Sequence, residues 1–225
     1  MQKDLTTGSV FKNVLYFSLP YLLSYFLQTL YGMADLFIIG QFEGTASITA
    51  VSIGSQLMHM ITVMLVGLAM GVTVGIGRAV GAHDERGAGA VIGNAVTLFL
   101  AVSVVLAAVL TALVQPILSI MSTPAEAVPG AAAYLTICFI GIPCITAYNI
   151  IASIFRGLGD SRSPMYFIAV ACAANIALDY LFMGALHLGP AGAARGTTLA
   201  LGISVSKRCS TPKSASRVKP TGMLR

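Results

Sequence analysis

Long apolar runs restrict the fold of this chain more than any other feature of its sequence. Six apolar stretches cover residues 14–40, 46–77, 90–114, 130–154, 164–187 and 192–205. The first five are long enough to cross a bilayer, which takes about twenty residues, whereas the sixth is too short. Because a backbone in lipid must satisfy its own hydrogen bonds, this pattern predicts an all-α polytopic membrane protein built as a six-helix transmembrane bundle.

The charged residues are few, and their distribution predicts an orientation. The chain is 56% hydrophobic and 9% charged, where a soluble domain carries about a quarter charged residues. If the helices alternate in direction, six basic residues fall on one side of the membrane and Arg195 alone falls on the other. The six are Lys3, Lys12, Arg78, Arg86, Arg156 and Arg162. The positive-inside rule therefore predicts a multi-pass protein of the inner (plasma) membrane with segment 1–13 in the cytoplasm.

The sequence changes character after Ser204. Residues 206–225 are basic and rich in Ser, and the sixth apolar stretch stops where a full membrane crossing is expected. We expect a transmembrane lobe at 14–205 followed by a non-native or frameshifted tail, with a natural C-terminal tail as the alternative. Six of the thirteen Lys and Arg lie in the last nineteen positions, so the net charge of +5 does not indicate a nucleic-acid partner.

Two acidic residues lie inside predicted membrane helices. Asp35 belongs to the segment TLYGMADLFIIGQFEG, and Asp179 belongs to AANIALDYLFM. An ionised side chain in the bilayer costs roughly 2.5–3.5 kcal/mol on insertion scales, so such acids are functional candidates. Asn175 lies four residues before Asp179, on the same helix face. Carboxylate and amide oxygens suit a hard cation, and a carboxyl group can also transfer a proton.

The predicted topology places these polar groups at a similar depth. Asp35 lies about five residues before the outer end of its helix, and Asp179 lies about seven residues before the outer end of its own. Thr197 and Thr198 lie about five residues after the sixth stretch begins, so at about 1.5 Å per residue all of them share the outer half of the membrane. We therefore predict a shared site; the alternative is that each acid caps a helix or contacts interfacial water.

Other polar residues are candidates for the wall of a cavity. These are Gln28, Tyr31, Gln56 and Asn149. Their alternative role is hydrogen bonding between helices. For His59, packing is the favoured interpretation. Pro20 and Pro143 lie inside predicted helices and are expected to bend them.

The sequence gives little support to a metal centre or to a proteolytic site. The four cysteines show no C-x-x-C pairing, and three of them lie in apolar stretches, so packing is favoured over disulfides or metal binding. The GLGD string at 157–160 matches the G-x-G-D pattern of intramembrane aspartyl proteases, but Asp160 lies between Arg156 and Arg162 in a predicted loop. We therefore expect neither an enzyme nor a cofactor.

Four segments together are characteristic of one family. They are FSLPYLLSYFLQTLYGMADLFIIGQFEGTASITAVSIG, GLAMGVTVGIGRAVGAHDERGA, FRGLGDSRSPMYF and NIALDY. Across residues 10 to 204 the chain resembles the MATE (multidrug and toxic compound extrusion) family, and the RAVGA and RGLGDSRSPM loops are the most specific parts of the match. Family members have twelve helices in two six-helix lobes, and this chain resembles the amino-terminal lobe alone.

The resemblance implies an antiporter that exports small amphipathic, often cationic compounds and is driven by inward Na⁺ or H⁺. It implies a coupling-ion site made of Asp35, Asn175 and Asp179 together with Thr197, for which Thr198 is the neighbouring choice. Bending of the first helix is implied for Pro20.

The resemblance also implies that a second lobe is missing. Alternating access needs two lobes that move about the site, so we expect the chain to be inactive alone unless it pairs with a partner half. One alternative is a lipid-linked oligosaccharide flippase of the same superfamily, which is disfavoured because the membrane segments hold essentially no basic residue except Arg195. The other is an inactive truncated remnant.

Overall fold

The computed structural model describes the backbone of residues 9–209 and the side chains of residues 9–202. The described chain forms α1 Val10–Phe42, α2 Thr45–Gly81, α3 Glu85–Ala112, α4 Val114–Ile120, α5 Val128–Ile140, α6 Ile142–Gly157, α7 Arg162–Asp179, a π-helical segment Tyr180–Ala185, and α8 Gly189–Cys209. Four spans are long and apolar enough to cross a membrane, namely α1, α2, α3 and α7 with the π-helical segment; α5 and α6 make a fifth if counted together. The predicted all-α membrane bundle is confirmed.

The helix ends differ from the predicted limits at several points. The first stretch, predicted at 14–40, is helical from Val10 to Phe42. The third, predicted to continue to 114, ends at Ala112 and is followed by the short helix α4, which the sequence analysis did not predict. The sixth, predicted to end at 205, continues to Cys209. The predicted tail 206–225 therefore begins as helix, and residues 210–225 lie outside the described residues.

The fourth stretch breaks where Pro143 predicts a bend. The chain bends by 49° between helices α5 and α6. Pro143 occupies the first turn of α6, where its missing N–H removes no intrahelical hydrogen bond. Gly141 joins the two helices. A Cβ atom added to Gly141 would lie 2.9 Å from Thr198 Oγ1, so the absence of a side chain lets α8 approach the break.

The helices pack around one main apolar core. Helix α1 packs against α7, α2 packs against α5 and α6, and α8 packs against α5 and α7. The largest fully buried side chains in this core include Ile38, Leu65, Leu135, Phe139 and Ile168. Many large apolar side chains on the outer faces of α1, α2 and α3 are exposed. Such faces are costly in water and are expected where helices contact lipid.

The GLGD string forms the capping turn at the start of α7. Asp160 Oδ1 accepts hydrogen bonds from the backbone N–H groups of Arg162 and Ser163, each at 3.0 Å, and Oδ2 accepts one from Ser163 Oγ at 2.6 Å. Gly159 has φ +83°, a conformation that favours glycine. These contacts give Asp160 a structural role in the connection between α6 and α7.

Gly54 marks a close approach between α2 and α5. A Cβ atom added to it would lie 2.8 Å from Tyr134 Cε1. We expect Gly54→Ala to destabilise the chain by about 1–3 kcal/mol, the cost of overpacking a filled core. The control is Gly67→Ala on the same helix, where the added methyl would meet no described atom within 4 Å and the better helix propensity of Ala applies. Thermal unfolding followed by circular dichroism compares them, and equal midpoints would contradict this packing argument.

Candidate functional site: a carboxylate cluster beside a cavity

Four polar side chains meet inside the bundle. Thr197 Oγ1 on α8 donates a hydrogen bond to Asp35 Oδ2 on α1 at 3.3 Å. Asn175 Nδ2 on α7 donates to Thr197 Oγ1, also at 3.3 Å. The carboxyl group of Asp179 lies beside the Asp35 carboxyl group. The structure thus brings together the four residues of the predicted coupling site, and we refer to them as the carboxylate cluster.

The two neighbouring threonines of α8 differ in their contacts. Thr198 Oγ1 donates to the backbone carbonyl of Ala194, in its own helix, at 2.8 Å. Thr197 instead reaches across to Asp35. Of the two candidates that the sequence left open, Thr197 is therefore the one that belongs to the cluster.

Four oxygens of the carboxylate cluster lack donors among the described residues. Among the described residues, nothing donates a hydrogen bond to Asp35 Oδ1, to Asn175 Oδ1 or to either carboxyl oxygen of Asp179. Asp179 is fully buried, and Asp35 is 4% exposed. No Lys or Arg of the described chain lies beside either carboxyl group. Because an unpaired buried carboxylate is costly, this arrangement suits a bound cation or a proton as the missing partner.

Gly196 holds α8 close to Asp179, and the sequence analysis missed it. A Cβ atom added at this position would overlap Asp179 Oδ1 and would lie 3.7 Å from Asn175 Nδ2. A larger residue would therefore displace the Asp179 carboxyl group. The signal in the sequence is weak, because a single glycine is equally typical of ordinary close packing between membrane helices.

A cavity of about 300 Å³ opens beside the carboxylate cluster. Its wall includes all four predicted lining residues together with two members of the cluster: Gln28, Tyr31, Gln56, Asn149, Asp35 and Thr197. Asn175 and Asp179 do not line it and are buried. Asp35 is thus the carboxylate of the cluster that borders the cavity, with Asp179 on the buried side.

The cavity wall also contains groups that the sequence analysis misjudged or missed. His59, interpreted as a packing residue, lines the cavity and is exposed. Tyr25, Tyr134 and Tyr148 line it as well. A signal for Tyr25 was present, because Tyr25, Gln28 and Asp35 recur at helical spacing along one face of α1.

Pro20 lies inside α1, which is helical on both sides of it. Ser24 Oγ donates to the backbone carbonyl of Pro20 at 2.8 Å, a local contact that often bends helices. Bending or straightening at Pro20 stays a prediction.

Arg156 lies elsewhere than the sequence analysis placed it. It is in the last turn of α6 rather than in the following loop, and it lines a second, smaller cavity. Helix α6 therefore extends beyond the predicted limit of 154 to Gly157.

A bundle of apolar helices with buried acids beside a cavity is typical of a secondary transporter. The MatE family matches residues 20–181, and the chain belongs to that family.

Individual relatives agree with this assignment. The chain is similar to the probable multidrug resistance protein YpnP of Bacillus subtilis, with 33% identity over 201 residues, covering 89% of this chain and 45% of that one. It is also similar to a FAD transporter of Shewanella oneidensis, with 25% identity over 83% of this chain and 40% of that one. A crystal structure of MATE in the bent conformation superposes with a TM-score of 0.86 at 27% identity, covering 94% of this chain and 47% of the other. The chain thus spans less than half the length of these relatives.

Proposed function

We propose that this chain is the ion-coupled lobe of a multidrug antiporter that exports small amphipathic, often cationic compounds in exchange for Na⁺ or H⁺. The observation that supports it best is the position of Asp35, which borders the cavity and also contacts the buried cluster. The relatives named as multidrug resistance proteins support the same substrate class.

In this proposal the coupling ion occupies the oxygens that lack donors. A Na⁺ ion binds to Asp35, Asn175, Asp179 and Thr197, which are hard oxygen ligands, or a proton bridges the two carboxyl groups. Because these residues lie on α1, α7 and α8, ion binding draws the three helices together. When the ion leaves, Asp35 regains a negative charge at the cavity wall and attracts a cationic substrate. Ion and substrate therefore favour different states, which is the requirement for exchange.

The proposal includes a second lobe as partner. Alternating access moves two lobes about a central site, and the relatives supply about twice the length of this chain. We place the start of α1 in the cytoplasm, so the cluster lies toward the outer face.

An oligosaccharide flippase is the less favoured function. Such a substrate presents a pyrophosphate, which basic side chains bind. Among the described residues that line the 300 Å³ cavity there is no Lys or Arg, whereas Asp35 is there. An inactive remnant is the remaining alternative, and its mark would be a chain that fails to accumulate in the membrane.

The test is transport in lipid vesicles that contain the chain joined to a second six-helix half. Ethidium serves as the cationic substrate, and a Na⁺ gradient or a pH gradient is imposed separately. We expect one of these gradients to drive ethidium transport in the direction opposite to the movement of the ion. This transport should stop when an ionophore collapses that gradient. Movement at the same rate without any gradient would contradict ion coupling. The gradient that supports transport identifies the coupling ion.

A further inference from the structure

A basic side chain borders a small cavity at the end of the bundle where α1 begins. Arg156, in the last turn of α6, lines a cavity of about 20 Å³ between α1, α6 and the start of α7. Arg156 Nη2 donates to Ser153 Oγ at 2.9 Å. The Arg156 Cζ atom lies 5.3 Å from the ring centroid of Tyr21. The proposed coupling function uses none of these contacts.

The charge of Arg156 has no counter-ion in the part of the chain that the structure describes. Its Nε atom is buried and has no hydrogen-bond acceptor there. The polar groups beside the guanidinium group are the hydroxyl groups of Tyr21 and Tyr148, not a carboxylate. Asp160, four residues later, directs its oxygens to the start of α7 instead. A buried N–H of a charged group without an acceptor is costly, so an acceptor from outside the described chain would be stabilising.

The size and polarity of this cavity restrict what it can hold. A volume of about 20 Å³ accommodates one group of roughly the size of a water molecule, which suits a single small anion or one carboxylate oxygen better than a phosphate with four oxygens. Ser24, Gln28 and Asn149 add polar groups to its wall. The side chain of Ser161 also lines it, is 5% exposed, and makes no capping bond to α7. We propose that this cavity is a binding site for a small univalent anion, either free chloride or the carboxylate end of a ligand, held by Arg156.

The two sources of the anion differ in their relation to the larger cavity. Five residues line both cavities, namely Tyr25, Gln28, Val66, Tyr148 and Asn149. The two cavities therefore adjoin, so a ligand in the larger cavity can place a carboxylate near Arg156. That source rests on the proposed transport function, whereas a free chloride site does not.

The experiment measures chloride binding to the purified 225-residue chain in detergent. The linewidth of the ³⁵Cl resonance is recorded against protein concentration, at constant ionic strength with gluconate as the replacement anion. We expect the unmodified chain to broaden the ³⁵Cl resonance. The chloride affinity of Arg156→Gln should be about tenfold weaker, the effect of losing one charge-assisted hydrogen bond. Arg156→Lys keeps the charge but lacks the Nε–H donor, so it should retain part of the broadening.

Arg162→Gln is the matched control. This residue is also a basic group stacked on a tyrosine of α1, with its Cζ atom 4.5 Å from the Tyr16 ring centroid, but it does not line the small cavity. Its variant should bind chloride as the natural chain does. Equal broadening in the natural chain, Arg156→Gln and Arg162→Gln would overturn the proposal. Far-ultraviolet circular dichroism checks that each variant keeps its helices.

Competition separates the two sources. Acetate, the zwitterion 4-(aminomethyl)benzoate and the methyl ester of that zwitterion are each titrated against bound chloride. Displacement by the zwitterion at lower concentration than by acetate, with none by the ester, supports a ligand carboxylate as the occupant. Failure of every carboxylate to displace chloride supports free chloride. Asp35→Asn should leave chloride binding intact, so failure of the coupling proposal and failure of this one are distinguishable.

Discussion

Asp35→Asn is expected to abolish export by the two-lobe form of this transporter. The change removes a negative charge from the carboxylate cluster while keeping the shape of the side chain and an oxygen that can accept from Thr197. Removing one partner of a buried charge pair costs about 3–5 kcal/mol, so Na⁺ affinity should fall by roughly 100-fold or more. Ethidium efflux from cells and the ²³Na linewidth of the purified chain measure the two effects.

The control for this prediction is Glu126→Gln. It removes the same charge from an exposed side chain between α4 and α5, far along the chain from the cluster. Efflux should match that of the unmodified protein, and both variants should be present in the membrane fraction in similar amounts. Normal efflux by Asp35→Asn would refute the role that we propose for the cluster.

The membrane bundle was predictable because length and polarity alone determine it. Five apolar stretches that exceed the bilayer thickness leave few folds available, and the structure has five such spans when α5 and α6 are counted together. Helix ends were less predictable, since Ala112 carries no strong stop signal and α4 begins almost directly after it. The π-helical segment after Asp179 has no recognisable sequence signature, because it depends on packing against other helices.

The grouping of the cluster was predictable from depth, whereas its details were not. Counting residues from the predicted helix ends placed Asp35, Asp179 and Thr197 at one level, and in the structure their side chains meet. The rotation of α8 about its axis decides between Thr197 and Thr198. That rotation depends on contacts such as the one between Thr198 and Gly141, which one sequence does not show.

The position of Arg156 illustrates a more general limit. Arg156 follows the apolar stretch that was predicted at 130–154, so it was predicted to lie in the loop after that stretch. In the structure the last turn of α6 includes Arg156, and Tyr21 stacks on its guanidinium group. Such a contact joins residues that are distant in sequence, so composition and periodicity do not reveal it.

Gly196→Ala is the second prediction with a large expected effect. The added methyl group would overlap Asp179 Oδ1, so the carboxyl group must rotate away from Asp35 or α8 must shift. We expect Na⁺ affinity to fall by roughly 10–100-fold, the usual effect of displacing a group that orients a metal ligand. Efflux should fall with it, although no ligand atom has been removed.

The matched control is Gly202→Ala, also on α8, where the added methyl would meet no atom of the described residues within 4 Å. Both changes improve helix propensity by the same amount, about 1 kcal/mol, so a difference between them cannot come from the helix itself. If Gly196→Ala binds Na⁺ as Gly202→Ala does, the position of the Asp179 carboxyl group is unimportant and the cluster is not the ion site. If Gly196→Ala loses ion binding while its unfolding temperature is unchanged, the close approach of α8 to Asp179 serves ion binding rather than stability.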